Sequence, residues 1–516
     1  MMPKKILVGI DLGTTTLKAV FLDASLSKIV TTQVEEIFPA QAENPEYIEY
    51  DPMDWWNGTI NLLKRGFENG VNLDEIAGIC FSGWTVMSLL VDADGMPVTR
   101  AVHYNDMRHL STIQELEELI GKECVRKNGN YMGIYNGFGK QYWWKKKQPE
   151  VFAKAHHVMT EASWMVYMFT GVWSWNRSEA GFYAPYNAKT REWDDELLQK
   201  AGFPTSLYPK LYDSWEIVGR VTEKAASLTG LPVGIPVVAG ADDASPVALT
   251  TGVINTGQCF ISVGSAGNIA ANTNGPISHP TILTYPHCIP ELTMAITVMS
   301  STGLSNKWMR DNLCQAESAV ASITGEDSYS YMNKAASTVK PGAGGVIFLP
   351  YLDGDYTPNN DPNARGCFVG MGTSTTKADL LRATLEGVAF SILDNINLIR
   401  ELGGNLDEIV LAGGIAKSKI WLQIIADVTG CMVSLPEETE GTAFGGALIA
   451  GFGTGIFESI EAAVKQTVKI SRGVCLPDPK NHELYKELFG IYKGLYPALK
   501  QTYTRLGKLR EKPNAK

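Results

Sequence analysis

The chain begins with short apolar runs separated by a polar turn. Residues 6–10 and 19–22 are apolar, and the intervening residues 11–18 are mostly polar. Two short apolar runs joined by glycine and threonine predict a strand, a tight turn and a second strand.

The chemistry of this turn suits a phosphate group. Gly13 would let the backbone approach a ligand closely, and the threonines at 14–16 supply hydroxyl and N–H donors for phosphate oxygens. Asp11 ends the first predicted strand, where a carboxylate is suited to holding magnesium through water. We therefore interpret this turn as half of a nucleotide site, with an ordinary hairpin turn as the alternative.

The same patterns continue and predict an α/β protein. Strands are predicted where short apolar runs end at turn residues, at 76–81, 89–92, 237–239, 260–263, 346–349 and 409–412. Helices are predicted where apolar residues recur at helical spacing, at 51–67, 111–120 with Gly121 as the stop, 142–155, 244–251, 378–400, 419–429 and 442–453. The aromatic region 173–191 gives no prediction, and core, pocket wall and interface all stay open.

Three glycine-rich turns stand at the ends of predicted strands, at residues 11–16, 264–268 and 413–418. An acidic turn at 240–243 lies between the first two. Strand ends are where α/β folds bind ligands, so the order of these turns indicates one site built from several of them. The plan of residues 260–271 repeats that of the N-terminal segment, which indicates two similar halves.

Composition narrows the class of protein. A chain of 516 residues is too long for one core and predicts two large domains. With 45% hydrophobic and 19% charged residues and no apolar run long enough for a membrane span or a signal peptide, we expect a cytoplasmic globular protein. The net charge of −10 argues against a nucleic-acid partner. The eight cysteines are scattered without a C-x-x-C pair, so no zinc site or disulfide framework is expected.

On these motifs the chain resembles the FGGY family of carbohydrate kinases, within the sugar kinase–actin superfamily, over about residues 6–453. Residues 11–16 resemble the family's first phosphate segment, and residues 264–267 resemble the second, with Ser and Ala where Thr and Ser are usual. Residues 409–429 are similar to its adenosine segment. Residues 349–358 resemble a Pro-Tyr-Leu stretch of the family, with Asp-Tyr in place of its Glu-Arg.

The resemblance implies two actin-like (ribonuclease H-like) lobes, with mixed sheets flanked by helices around a deep cleft that closes and excludes water. Residues 1–252 would form the sugar-binding lobe, with the first phosphate turn and the catalytic aspartate. Residues 253–475 would form the nucleotide-binding lobe, and residues 476–516 a C-terminal helical tail. ATP and Mg²⁺ are the implied cofactors, and a homodimer is compatible with the resemblance.

The family's general base corresponds to Asp243, because of its spacing to the helix that follows. For Asp242 the alternative is a cap for that helix. Asp11 would hold magnesium through water together with Asp243. The resemblance assigns ATP contacts to Thr14, Thr15, Thr16, Lys18, Gly264, Ser265, Gly303, Gly413, Gly414, Lys417 and Ser418.

The sugar side departs from the family pattern. Xylulokinase-like members carry Gln-Met-His where this chain has Trp84, Thr85 and Val86, and Trp84 would either stack on a sugar or fill the pocket. Residues 104–108 resemble the family's Trp-Asn-Asp-x-Arg. They place Asn105, Asp106 and Arg108 among the substrate-binding residues, with a surface ion pair as the alternative for the last two.

Three functions remain open at this point. A kinase of a small sugar or polyol leads, with a pentulose-like ketose as its substrate and an alditol or aldonate as alternatives. A catalytically silent regulator that binds sugar and nucleotide would need neither Asp11 nor Asp243. An ATPase acting on proteins would need a peptide-binding domain, for which the short tail leaves little room.

Overall fold

The computed structural model describes residues 5–42, 44, 47–133, 135–403, 408–438 and 440–510. They form two compact units, and neither is one stretch of sequence. The first unit comprises Met1–Thr256, Asn272–Ala295 and Glu440–Lys469, and the second comprises Gly257–Ala271, Ile296–Thr439 and Ile470–Lys516. The domain boundaries at 252 and 475 treat each lobe as continuous, and the roles given to those lobes stay predictions.

The sheet of the first unit is built around the predicted strand–turn–strand segment. Ile6–Leu12 pairs antiparallel with Thr16–Asp23 and parallel with Ile76–Gly83. Strands flank Ile6–Leu12 on both sides. Its apolar side chains are buried on both faces of the sheet. The strands follow in the order Ile217–Arg220, Pro236–Val238, Ile76–Gly83, Ile6–Leu12, Thr16–Asp23 and Lys28–Glu36, with Ala241–Asp242 beside Ile76–Gly83.

The helix Gly441–Gly453 packs directly against this sheet. A Cβ atom on Gly9 would overlap the carbonyl oxygen of Ala443, and one on Gly445 would overlap that of Pro246. Backbones approach this closely only where side chains are small. The small residues of this helix permit the close contact, which explains why residues 440–469 belong to the first unit.

The other elements of the first unit lie around this sheet. Four short strand pairs are Glu49–Tyr50 with Ala101–Val102, Leu89–Val91 with His157–Met159, Trp175–Asn176 with Leu211–Tyr212, and Tyr186–Asn187 with Glu192–Trp193. The helices are Pro52–Glu68, Leu110–Leu116, Lys122–Asn128, Gly137–Lys147, Pro149–Phe152, Glu161–Thr170, Arg177–Ala180, Asp195–Lys200, Glu223–Thr229, Ala244–Thr250 and Ile460–Thr467.

The second unit repeats the plan of the first, with an antiparallel hairpin followed by parallel strands. Cys259–Val263 pairs antiparallel with Gly267–Thr273 and parallel with Glu408–Gly413, which is followed by Met432–Pro436 and Ile470–Cys475. The chain also forms the strands Ile282–Pro286, Thr293–Met299, Ile347–Leu349 and Cys367–Val369. The helices are Thr302–Leu313, Gln315–Thr324, Ser328–Ser337, Lys377–Glu401, Lys419–Thr429 and Pro479–Arg510.

The C-terminal helix Pro479–Arg510 belongs to the core of the second unit. Tyr485, Tyr492, Tyr496 and Tyr503 are buried along it and join the apolar cluster of this unit. Residues 511–516, the end of the predicted tail, lie outside the described residues.

Two helix predictions were wrong in extent. Gly121 does not stop a helix: the chain continues through one wide turn, Glu117–Gly121, and the helical stretch ends at Gly129 with a φ of 99°. The helix predicted at 142–155 runs over Gly137–Lys147, because a separate short helix starts at Pro149.

The aromatic region 173–191, which the sequence left unassigned, belongs to the interior of the first unit. Trp175, Tyr183 and Tyr186 are almost completely buried there. The search for bilayer-spanning segments, made over the described residues, found no helix with the necessary length and apolar character.

We expect Gly9→Ala to destabilise the first unit, because the added methyl would push the strand away from the helix Gly441–Gly453. Overpacking of this kind costs roughly 1–3 kcal/mol or more of unfolding free energy. Urea unfolding of the full chain measures it, with Gly275→Ala as the control, since a Cβ there meets no atom within 4 Å. Equal stability of the two variants would contradict the close contact.

Candidate active site

The predicted phosphate turn is held in place through its carbonyl groups. The Tyr50 hydroxyl donates to the carbonyl oxygen of Thr14 at 2.8 Å, and the Ile37 N–H donates to that of Thr15 at 2.9 Å. A Cβ on Gly13 would lie 2.5 Å from the Thr16 carbonyl oxygen, so the turn requires glycine.

The charged residues beside this turn are Asp11 and Lys18. They lie opposite each other in the hairpin, and the Lys18 ammonium forms an ion pair with Glu440 at 2.7 Å. Loss of water around Asp11 raises its pKa to about 7, while Lys18 opposes the shift and Glu440 adds to it. Lys18 therefore acts within a small charged group, and its predicted contact with ATP stays a prediction.

The acidic turn gives its two aspartates different environments. Asp242 is buried, and its Oδ2 accepts the N–H groups of Ala244 at 3.0 Å and Ser245 at 2.9 Å. These bonds cap the helix Ala244–Thr250, which confirms the alternative given for Asp242. The Asp243 side chain makes no capping bond and is exposed. It is the aspartate of this turn that a substrate can reach.

Carboxylates crowd this part of the first unit. The Asp243 side chain is reachable by solvent, yet surrounding protein reduces its hydration and raises its pKa to about 8. The charges of Asp242, Asp11 and Glu161 add to this rise. Glu161 is fully buried, and its pKa rises to about 7 for the same reason. A cation or a proton near these groups would relieve their repulsion.

A strained turn follows the strand Ile76–Gly83. Thr85 and Val86 have φ values of 53° and 54°, in the left-handed region that β-branched residues avoid. The carboxylate of Glu161 accepts the Thr85 N–H at 3.1 Å. Backbone strain that surrounding groups hold in place is common at functional sites, so this turn is a candidate site segment.

Trp84, on the same turn, belongs to an aromatic cluster. Its ring centroid lies 4.8 Å from that of His103, 5.7 Å from Tyr104 and 5.8 Å from Tyr50. Burial raises the pKa of Tyr104, and the charge of Asp243 raises it further. Through Tyr50, whose hydroxyl donates to the Thr14 carbonyl, the cluster is linked to the phosphate turn.

Asp106 and Arg108 form a buried pair, so the alternative of a surface ion pair is wrong. Asp106 has no exposed surface, and the Arg108 side chain is 2% exposed. Arg108 donates to both Asp106 oxygens, at 2.9 and 2.7 Å, and the Ile48 N–H donates to Asp106 at 2.8 Å. The Arg108 guanidinium also contacts Glu49 at 2.9 Å and lies 3.6 Å above the Tyr47 ring centroid.

The environment of this pair keeps Asp106 ionised. Burial alone would raise the pKa of Asp106, but the hydrogen bonds from Arg108 and from the backbone outweigh it and lower the pKa. Asn105 follows His103 and Tyr104 in sequence and precedes Asp106. It is exposed, and its backbone N–H donates to His103 Nδ1 at 3.1 Å.

Lys140 supports the same loop, and the sequence analysis did not assign it a role. Its buried ammonium donates to the carbonyl oxygens of Asp106 at 2.9 Å and Tyr104 at 3.3 Å. Burial lowers the pKa of Lys140 to about 7; the charge of Asp106 opposes the shift and Arg108 adds to it. A lysine inside the aromatic, buried helix Gly137–Lys147 was the available signal.

The second unit contains a cavity of about 540 Å³ that gathers most predicted nucleotide contacts of this unit. Its lining includes Gly264, Ser265, Gly303, Gly414, Lys417 and Ser418, as predicted. Asn306 and Lys307 also line it, and they belong to the segment 300–308 whose sequence resembles the helix start on the family's nucleotide side. The sequence reasoning missed Asp327, Tyr329, Ser330 and Asn333.

Backbone contacts shape this cavity. The Gly303 and Leu304 N–H groups donate to the carbonyls of Gly264 at 3.1 Å and Ser265 at 3.0 Å. Gly413 has a φ of 91°, and a Cβ there would overlap the Val263 carbonyl. The remaining predicted residues, Thr14–Thr16, Lys18, Asp11 and Asp243, belong to the first unit.

Over the described residues, no group of three His, Cys, Asp or Glu side chains is arranged to hold a metal ion directly. Magnesium commonly keeps several waters and binds through one or two carboxylates. The donor set of Asp11 and Asp243, two acids whose repulsion a cation would relieve, fits such a water-mediated ion.

Comparisons with known proteins agree over nearly the whole chain. The N-terminal domain model of the FGGY family of carbohydrate kinases matches residues 6–250, and the C-terminal domain model matches residues 253–454. A xylulose kinase of Staphylococcus epidermidis is 31% identical over 510 residues, covering 97% of this chain and 98% of that protein. An autoinducer-2 kinase of Escherichia coli is 28% identical over 504 residues, covering 96% of this chain and 94% of that protein.

The structures agree as well. The crystal structure of a xylulose kinase from Rhodospirillum rubrum matches with a TM-score of 0.89 and 26% identity, covering 97% of this chain and all of that chain. The predicted class, an α/β protein with two sheet-containing lobes, is confirmed.

The environment of Lys140 predicts a pH-dependent stability. The folded pKa of about 7 lies below the ordinary 10.5, so between these values the unfolded chain binds more protons. Stability therefore rises with pH across this window, by at most about 1.4 kcal/mol per pH unit. Lys140→Met removes this contribution. The unfolding free energy of the wild type minus that of the variant should therefore increase between pH 7 and pH 9.5. A difference independent of pH would contradict the prediction.

Proposed function

Since the chain belongs to the FGGY family of carbohydrate kinases, we propose that it transfers the γ-phosphoryl group of ATP to a hydroxyl of a small neutral sugar, with a pentulose-like ketose as the leading candidate. The observation that carries this proposal is the exposed, uncapped carboxylate of Asp243, which follows the buried helix cap Asp242 and whose charge acts on Tyr104 of the aromatic cluster.

Asp243 is the proposed general base. Asp242 is occupied by its helix cap, whereas the Asp243 carboxylate is free of capping bonds. As the sugar oxygen bonds to the γ-phosphorus, Asp243 accepts the hydroxyl proton, and ADP leaves with the electron pair of the broken bond. The surrounding acids favour proton uptake by Asp243, because they raise its pKa.

Magnesium is the proposed metal, and Asp11 would hold it through water with Asp243 beside it. A bound magnesium ion neutralises charge on the transferring phosphoryl group. Thr14, Thr15 and Thr16 supply hydroxyl and N–H donors for phosphate oxygens of the donor nucleotide.

The cavity of the second unit is the proposed site for ATP. Its volume of about 540 Å³ is in the range of small-molecule sites. Glycines at 264, 303 and 414 let a nucleotide approach the backbone. Lys307 and Lys417 line the same cavity and provide positive charge for phosphates.

The charges around the aromatic cluster favour a neutral sugar over an aldonate. Among the described residues near this loop, Arg108 is paired with Asp106 and Glu49, and Lys140 with two backbone carbonyls. The nearby carboxylates, Asp11, Glu161 and Asp243, would repel a substrate carboxylate. The exposed Asn105 amide and the face of Trp84 are the proposed sugar contacts, while Asp106 and Arg108 hold the loop that carries Asn105. The name of the xylulose kinase relative agrees with a pentulose.

The reaction is tested by ADP release with ATP and Mg²⁺ across ketoses, alditols and aldonates. We expect one neutral sugar to accelerate release, aldonates to fail, and Asp243→Asn to lower kcat by roughly a hundredfold or more. Asp195→Asn, the same change at an exposed helix start, serves as the control. Rates that stay flat over the whole panel would overturn the proposal in favour of a binding protein.

The nucleotide site is tested with Gly303→Ala. A Cβ there would overlap the Gly264 carbonyl, so the methyl should displace the Gly264–Ser265 turn. We expect KM for ATP to rise by about tenfold or more while KM for the sugar stays within about twofold. Gly494→Ala is the matched control, because a Cβ there meets no atom within 4 Å. An unchanged ATP affinity in Gly303→Ala would remove this turn from the nucleotide site.

A further inference from the structure

Glu161 braces the strained turn that carries Trp84. Its Oε1 accepts the Thr85 N–H at 3.1 Å, inside an environment that excludes water from both residues. A Cβ on Gly83 would overlap the same oxygen, so the backbone passes directly over the carboxylate. This bond lies at the first of two consecutive left-handed residues, Thr85 and Val86, and opposes their relaxation to ordinary φ values.

The residue before Glu161 starts a chain of buried hydrogen bonds that leads to the acidic turn. Thr160 donates to Glu179 at 2.7 Å, and the Asn176 amide donates to the same Glu179 oxygen at 2.5 Å. The Ser178 hydroxyl donates to the side-chain amide oxygen of Asn176 at 2.9 Å and accepts the backbone N–H of Asp242 at 3.0 Å. The six residues Thr160, Glu161, Asn176, Ser178, Glu179 and Asp242 are called the buried network below.

Every member of the buried network is at most 1% exposed. A buried polar group that loses its hydrogen-bond partner destabilises the protein by the full free energy of its desolvation. Each hydrogen bond of the network therefore helps to hold the adjacent side chains in place. One end of the network holds the turn of Trp84, and the other holds the backbone next to Asp243. Both ends lie within the first unit.

We propose that the buried network is a positioning device that fixes the Trp84 turn and the Asp243 turn in one arrangement, and that Glu161 sets sugar affinity by bracing the Trp84 turn. The proposal rests on the proposed kinase function. Glu161 acts through Thr85 and Trp84 and does not itself contact the sugar, because its carboxylate is buried.

The experiment compares Glu161→Ala with Glu161→Gln in the full chain, with D-xylulose as the probe, or the fastest sugar of the panel if that differs. Alanine removes the acceptor for the Thr85 N–H, and glutamine keeps one of similar size. We expect KM for the sugar to rise by about tenfold or more in Glu161→Ala, with KM for ATP within about twofold. Glu161→Gln should recover a KM within about threefold of wild type.

Ser178→Ala tests the other end of the network with a smaller change. It removes the acceptor for the Asp242 N–H and should lower kcat more than it changes KM for the sugar. Asp194→Asn controls for lost stability, because Asp194 is a mostly buried carboxylate of the same unit that accepts a backbone N–H, from Leu197 at 3.0 Å. We expect Asp194→Asn to lower the Tm while leaving both KM values unchanged.

Hydrogen exchange at the Thr85 amide gives a readout that does not need turnover. Exchange should accelerate by about tenfold or more in Glu161→Ala and stay near wild type in Glu161→Gln. Unchanged Thr85 exchange in Glu161→Ala overturns the brace, whether or not any sugar is phosphorylated. Equal rises in the two KM values, or equal impairment by Ala and Gln, overturn the positioning role. The wild type could also phosphorylate no sugar while Thr85 amide exchange in the two variants changes as expected. That result would overturn the kinase function, and with it the role of Glu161 in sugar affinity, but not the hydrogen bond that braces the turn.

Discussion

The crowding of poorly hydrated carboxylates is the constraint on which the rest of the first unit depends: loss of water raises the pKa of each, and neighbouring negative charge adds to the rise. The pKa of Asp11 is raised, and the charge of Asp11 helps to raise the pKa of Glu161 and of Asp243. Buried charges of one sign are costly, and hydrogen-bond partners reduce that cost. Asp242 finds its partners in a helix cap. Glu161 finds one in the Thr85 amide. Asp243 makes no capping bond and remains exposed.

In the loop of residues 104–108, buried charged side chains bind partners within the protein. Arg108 and Lys140 are buried cations, yet their contacts are to Asp106, Glu49, an aromatic ring and loop carbonyls. They shape the loop of Tyr104 and Asn105 and leave uncharged groups facing outward. Aromatic faces and amides are suited to a polyol, which carries many hydroxyls and no charge. The cations of this loop are thus occupied by partners within the protein.

The sequence predicted the parts of this molecule that depend on local pattern. The strand–turn–strand segment around Asp11, the helix Lys419–Thr429 and the small-residue helix Gly441–Gly453 all follow from periodicity and glycine placement. The helix end predicted at Gly121 was wrong, because a glycine inside a helix cannot be distinguished from one that ends a helix unless its tertiary contacts are known. Lys140, Glu161 and Tyr50 could not be assigned, because their roles depend on partners distant in sequence, such as the Asp106 carbonyl or the Thr85 amide. The surface alternative for Asp106 and Arg108 failed for the same reason, since burial is a property of the folded chain.

The contact between Gly9 and Ala443 has a consequence for biosynthesis. The two residues are far apart in sequence, so the strand that contains Gly9 is synthesised long before the helix that contains Ala443. The apolar face of this strand lacks its helix while most of the second sheet is made, because every strand of that sheet except Ile470–Cys475 precedes residue 441. Long-range closure of this kind slows folding and exposes apolar strands for longer. The sheet of the first unit therefore cannot complete its packing until residues 441–453 have been synthesised.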